Sequence, residues 1–138
     1  MNRRYVNTPE DLFFYTLYKQ TVTWGAGNVS ECCGKRLLKV FKIDFTGYSI
    51  EVSSQYLLHF YYRHFEETRS NQRNISFNDI KRIPNIINHY TTVVQGNKPN
   101  SLLFRKKYPD GVVEFVVQYD KRTRTLSGNS LRVKTVVH

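Results

Sequence analysis

Cysteine is almost missing from this 138-residue chain: there are two, Cys32 and Cys33, and they are neighbours. Adjacent cysteines have poor geometry for an intramolecular bridge, so no disulfide framework is expected. No spaced set of Cys and His of the zinc-finger kind occurs, and no metal or cofactor is expected. Long apolar runs are missing too. No stretch is long and apolar enough to cross a bilayer. Met1-Asn2-Arg3-Arg4 is basic but is not followed by the apolar core of a secretory signal. A soluble protein acting in the cytoplasm, with no membrane partner, is the expectation, and export would need other machinery or a removed upstream region. Repeats and low-complexity segments are absent, which fits one domain over residues 1–138.

Acidic side chains are scarce. Eleven Asp and Glu stand against 21 Lys and Arg, giving a net charge of +10. A charge of that size favours a polyanionic partner. The excess is not confined to a tail. From Asn100 to His138 there are eight basic and three acidic residues, in a segment that also reads as strands. Cations on a folded surface neutralise phosphates and release counterions. Hydrophobic content of 40% supports an ordered core, and the aromatic share of 14% includes ten tyrosines. Most of these fill a core, while some suit stacking on bases.

Thr8-Pro9-Glu10-Asp11 starts a helix to about Lys19, with Leu12, Phe13, Leu17 and Tyr18 as its buried stripe. Thr21 to Ser30, carrying Gly25, Gly27 and Asn28, reads as a loop. Glu31 to Lys42 is ambiguous; within it Leu37, Leu38, Val40 and Phe41 suit a short helix leading into a strand near Ile43–Phe45. Ser49 to Ser53 alternates as a strand. Ser53 or Ser54 caps a helix from about Ser54 to Glu67, and Ser76 with Asp79 begins a shorter one ending near Ile83-Pro84. A meander follows: Thr91–Gln95, Leu102–Tyr108, the turn Tyr108-Pro109-Asp110-Gly111, Val112–Tyr119, a basic turn over Asp120 to Arg124, and Leu131–Val137 after Gly128-Asn129. The fold class is α+β, with N-terminal helices packed on a C-terminal antiparallel β-sheet.

The helix around residue 60 holds His59, Arg63 and His64, a dense cluster in a chain with four histidines. Leu57, Phe60, Tyr61 and His64 share its apolar stripe, and His59 with Arg63 lies on the opposite flank. Imidazoles titrate near neutrality and exchange protons in phosphodiester cleavage. Arg63 suits bidentate phosphate binding. The 59/64 spacing misses the i, i+4 pairing of a metal site. In the last strand Leu131 and Val133 share a face with Thr135, while Arg132 and Lys134 point the other way. In the second meander strand Lys106 sits on the face of Leu102 and Phe104, with Arg105 and Lys107 opposite. If the helix packs on the apolar face, His64, Lys106 and Thr135 meet at one rim, and Arg105, Lys107, Arg132 and Lys134 form a basic platform behind it. Either face is open to phosphate at this level of reading.

The segments Ser49-Ile-Glu-Val-Ser53, Leu58-His59-Phe60 with Arg63-His64, Asn74-Ile75-Ser76-Phe-Asn-Asp79-Ile80, Arg82-Ile83-Pro84-Asn-Ile86-Ile87, Phe104 to Lys106 and Val133-Lys134-Thr135 together resemble the phage-type branch of the BECR nucleases. That superfamily groups barnase, EndoU, colicin-type and RelE-type ribonucleases. The resemblance runs from Gly47 to His138, and residues 1–46 stay an unassigned helical part. It implies a BECR ribonuclease-like fold with a metal-independent RNA cleft. By position, His59 and His64 match the family's helix histidines and Thr135 the threonine of its last strand. Lys106 and Lys134 match more loosely, since basic neighbours can replace them.

The expected activity is endoribonuclease cleavage by 2′-hydroxyl transesterification, with His59, His64, Thr135 and Lys106 catalytic. Arg63, Arg105, Lys107, Arg132 and Lys134 would bind RNA phosphates. RNA, with tRNA as one candidate, is the expected partner. A toxin-type nuclease of a phage or mobile element, with an acidic inhibitor or immunity protein, fits the charge. The rivals are a non-catalytic basic RNA- or DNA-binding module and a protein-interaction factor with an aromatic contact surface.

Overall fold

The computed structural model describes residues 4–18, 20–56, 72–73 and 75–134. Helix α1 (Pro9–Leu17) begins as its sequence demands: Thr8 Oγ1 accepts from the Asp11 amide at 3.1 Å, and Pro9 opens the first turn. Its buried stripe is narrower than expected. Leu12 and Thr16 are buried, Thr16 by returning its hydroxyl to Leu12 O at 2.7 Å, whereas Leu17 and Tyr18 face solvent. Phe13 is half-buried and meets the Phe77 ring edge-on at 5.6 Å. Helix α2 (Glu31–Phe41) is capped by Ser30, whose Oγ accepts from Cys33 N at 3.1 Å, and it ends on left-handed Lys42. The strand expected at Ile43–Phe45 does not form. Asp44 Oδ1 accepts from Thr46 N at 3.0 Å and turns the chain there instead.

The loop expected over residues 21–30 is largely strand. β1 (Tyr5–Val6) runs parallel to β2 (Thr23–Asn28), which pairs antiparallel with β3 (Ser49–Ser53). The glycines that suggested a loop form a bulge: the register shifts between Gly25 and Gly27, and Gly27 has φ 116°. Val22, Trp24 and Ala26 alternate into the core. Ser54 closes this corner, since its Oγ accepts from Val22 N at 2.9 Å and donates to Gln20 O at 2.8 Å. Ser53 Oγ accepts from Gln55 N at 3.3 Å, and residues 54–56 are helical. The remainder of the expected central helix lies outside the described residues.

β4 (Gln72–Arg73) precedes two short helices, α3 (Phe77–Lys81) and α4 (Ile83–Asn88). The expected box is present: buried Asp79 accepts from Ser76 N at 2.7 Å. Asn88, ending α4, accepts from Ser30 N at 2.9 Å and donates to Asn28 O at 3.2 Å, fixing α4 to the β2–α2 junction. The meander β5 (Thr92–Gln95), β6 (Ser101–Tyr108), β7 (Gly111–Asp120) and β8 (Thr125–Lys134) is antiparallel throughout. β8 starts at Thr125, not Leu131. Gly128-Asn129 lies inside it as an irregularity opposite Val116 and Val117.

The sheet order is β1-β2-β3-β8-β7-β6-β5, with β4 also pairing β8. The fold is α+β as expected, but the sheet is mixed, because β1 is parallel to β2 and β3 is parallel to β8. The long stretch of chain between β3 and β8 permits that parallel pairing. Strands and helices therefore interleave, in place of helices first and an antiparallel sheet last. One face of the sheet carries the core. Trp24, Ile50, Val52, Leu102, Phe104, Val113, Phe115, Leu126, Leu131 and Val133 join Leu12, Leu37, Ile80, Ile83, Ile86 and Ile87 from the helices in a single buried cluster. Each fully buried Phe, Leu or Ile in it contributes roughly 1.5–3 kcal/mol. The opposite face alternates with polar side chains.

Candidate functional site

Strand alternation sends residues 105 and 107 of β6, 112, 114, 116 and 118 of β7, and 130, 132 and 134 of β8 to the face away from the core. Register then sets their neighbours. Arg105 lies opposite Glu114, Glu114 opposite Arg132, and Lys107 and Lys134 both lie opposite Val112. The four cations expected to form a platform do share one face. At their centre stands Glu114, a functional residue that no motif of the sequence marks. It is largely buried, and it accepts from Arg105 Nε at 2.6 Å and pairs with Lys134 Nζ at 3.2 Å. Burial pushes the Glu114 carboxyl up, but the hydrogen bonds and charges of Arg105 and Lys134 outweigh it and hold the group below the ordinary carboxylate range. One carboxylate among four cations orders the patch and leaves it positive.

Lys106 goes to the other face. It is half-buried between Phe104 and Tyr108, opposite Val113, on the helix side of the sheet. Tyr108 on the same side accepts at its hydroxyl from Asn85 Nδ2 at 2.9 Å and is covered by the Arg82 guanidinium. The structure therefore separates Lys106 from the platform, as the alternation required. His59, Arg63, His64 and Thr135 lie outside the described residues.

The platform face continues into an open groove of about 1170 Å³. Its floor includes a row across three strands: Glu51 of β3 faces Ser127 of β8, and Ser127 faces Gln118 of β7. Thr23, Ser49, Ser53 and Thr125 add hydroxyls, and Tyr5, Lys121 and Arg122 also line it. Glu51 is buried, and the Tyr5 hydroxyl donates to its Oε1 at 3.3 Å. Ser127 and Arg132 are five positions apart along β8, about 16 Å at the strand rise. None of the residues singled out from the sequence lines this groove. The signal for it was present locally, in the polar alternation of Ser49, Glu51 and Ser53. Its assembly depends on the parallel β3–β8 pairing.

The surface offers fixed cations for phosphate and a hydroxyl-rich groove with two carboxylates, Glu51 and Asp120, for donor groups of a ligand; Asp120 Oδ1 already accepts from Arg122 N at 2.8 Å. Neither cysteine lines the groove. Cys33 is buried, its thiol is pushed up to about 11 chiefly by burial, and it donates to Ile87 O at 3.3 Å. Among the described residues no cluster of His, Cys, Asp and Glu has the make-up of a metal site, and no helix is long and apolar enough to cross a membrane.

Residues 28–136 match a family model described as phage-Barnase-EndoU-ColicinE5/D-RelE like nuclease 3. The match begins at the end of β2 and takes in α2, upstream of the Gly47 boundary expected from the motifs. No curated protein and no solved structure matches the chain.

Proposed function

Because the chain belongs to this phage-type Barnase–EndoU–colicin E5/D–RelE-like nuclease family, we propose that it is a metal-independent endoribonuclease that cleaves RNA through the substrate's own 2′-hydroxyl. The observation that carries the polynucleotide reading is the platform: Arg105, Lys107, Arg132 and Lys134 on one face, ordered by one carboxylate. Such a surface neutralises successive phosphates of a strand laid across β6, β7 and β8. Arg63 adds a bidentate phosphate contact in this reading.

The chemistry falls to His59 and His64. One imidazole takes the proton from the 2′-hydroxyl as its oxygen attacks phosphorus. The other delivers a proton to the 5′-oxygen as the P–O5′ bond breaks, leaving a 2′,3′-cyclic phosphate and a 5′-hydroxyl. Lys106 lies on the helix side of the sheet, so in this reading the RNA strand leaves the platform over the end of β6, and there Lys106 and Thr135 stabilise charge on the pentacovalent phosphorane, where a preorganised donor contributes about 3 kcal/mol. The need for a 2′-hydroxyl restricts the enzyme to RNA. One domain acts on RNA in the cytoplasm, with tRNA as a candidate substrate. An acidic inhibitor would cover the platform of a toxin-type enzyme.

The test is incubation with total RNA in excess chelator. Cleavage should persist and leave cyclic phosphate ends. Cleavage only with added metal, or salt-sensitive binding with no cleavage at all, overturns the proposal; the second result identifies a non-catalytic binding module.

A further inference from the structure

Tyr5, Thr21 and Thr23 precede the family-matched stretch, yet they form one wall of the groove whose floor is Glu51 and Ser127. β1 and β2 set that wall: Tyr5 lies beside Thr23, and Thr23 beside Ser53. The segment before the match is thus built into the polar face and is not a detached extension. Its clearest act there is the bond from the Tyr5 hydroxyl to Glu51 Oε1 at 3.3 Å.

We infer that this groove is a base-reading subsite for single-stranded RNA, in which Glu51 and Tyr5 select bases bearing an exocyclic amino group over uracil. The inference rests on the ribonuclease reading above and adds a specificity element to it. Its chemistry follows from the side chains. An ionised carboxylate only accepts hydrogen bonds, and it accepts several at once. Adenine, cytosine and guanine present amino donors that such a group binds. Uracil presents one ring N–H between two carbonyl oxygens, and those oxygens are repelled by a carboxylate. Tyr5 is 54% exposed, so its ring has a free face on which a base stacks while its hydroxyl orients Glu51. Lys121 and Arg122 line the same groove, where they suit the adjoining phosphates. Because the groove and the platform share β7 and β8, a strand held by Arg132 and Lys134 has its neighbouring nucleotides within reach of Glu51.

The experiment titrates the full chain with labelled 2′-fluoro oligonucleotide tracts of A, C and U, which lack the attacking hydroxyl, and follows fluorescence anisotropy. The native protein should bind A and C tracts roughly tenfold more tightly than U, the size of one good base contact. Glu51→Gln, which replaces a pure acceptor by a donor and acceptor, should bring that ratio to within about twofold. Tyr5→Phe, a milder change, should lower it part of the way. Arg132→Ala should weaken all tracts alike. A native ratio near one, or a ratio that survives Glu51→Gln in a folded protein, overturns the inference. Cleavage of matching 2′-hydroxyl tracts is scored in parallel. Absence of native cleavage with the binding ratio intact defeats the nuclease reading alone. Loss of turnover in Glu51→Gln with an unchanged binding ratio defeats the base-reading role alone.

Discussion

Arg105 donates from Nε to Glu114 Oε2 at 2.6 Å across the β6–β7 pair, and Lys134 holds the other carboxylate oxygen from β8 at 3.2 Å. This carboxylate ties three strands together and also offsets the cations meant for phosphate. Its folded-state pKa lies below the ordinary value, because the two cationic partners outweigh the upward push of burial. The stability it contributes is therefore full above the ordinary carboxylate range and is lost as pH falls through the depressed folded value. Glu114→Gln should lower stability near neutral pH by about 1 kcal/mol, roughly 3 °C in Tm for a domain of this size. The deficit should vanish once both proteins are acidified below the folded value. A deficit that stays constant across an acid series of thermal melts would show that packing, not ionisation, is what Glu114 supplies.

The same substitution should raise RNA affinity while it lowers stability, since it frees Arg105 and Lys134. The complementary change is Lys107→Ala with Arg132→Ala. Neither cation is paired with a carboxylate among the described residues, so their loss should cost little stability. Each phosphate contact on a single strand carries a salt slope of about 0.7, so the double variant should lower the slope of log K against log salt by about 1.4. The loss should be uniform across sequences, because these residues meet phosphate and not base edges. An unchanged slope in anisotropy titrations would place the RNA elsewhere.

His59→Ala and His64→Ala should each reduce single-turnover cleavage by about 10²–10⁴-fold while leaving the platform's affinity for uncleavable RNA intact. If either variant instead unfolds, the histidine belongs to the core and its partner carries the test. If both fold and both cleave at the native rate, acid–base chemistry resides in other residues. Binding and cleavage are read separately because the ion pairs that order the platform are made by Arg105, Glu114 and Lys134, which these variants leave in place.

The parts of the fold legible in the sequence are those where a local signal needs no distant partner. Thr8-Pro9 capped α1, Ser76 with Asp79 opened α3, and Pro109-Asp110-Gly111 joined β6 to β7. Alternation alone placed Leu131 and Val133 inside with Arg132 and Lys134 opposite, and so assembled the platform. Alternation failed over β2, where Gly25 and Gly27 outweighed the inward period of Val22, Trp24 and Ala26. Apolar identity misled at Leu17 and Tyr18, which face solvent. The groove was not legible. Glu51 and Ser127 become neighbours only through a parallel pairing between strands far apart in the chain, which no local pattern encodes.

Gly34 tests how tightly α2 is seated within the family-matched region. A helical glycine is a weak choice by propensity, and replacing it with alanine gains about 1 kcal/mol in an exposed helix. Here Gly34 is buried, and a Cβ at this position would come within 2.8 Å of Thr46 Cα and closer still to the Thr46 hydroxyl. The turn holding Thr46 has little room to retreat: its amide donates to Asp44 at 3.0 Å, and its carbonyl accepts from Arg124 Nη2 at 3.0 Å, which ties it to the β7–β8 connection. Overpacking of this kind costs about 1–3 kcal/mol and exceeds the propensity gain. Gly34→Ala should therefore lower the urea midpoint. Thr46→Ala should rescue it only in part, because removing the hydroxyl leaves the close approach to the backbone. A Gly34→Ala protein as stable as the native one would mean that α2 is not docked on this turn.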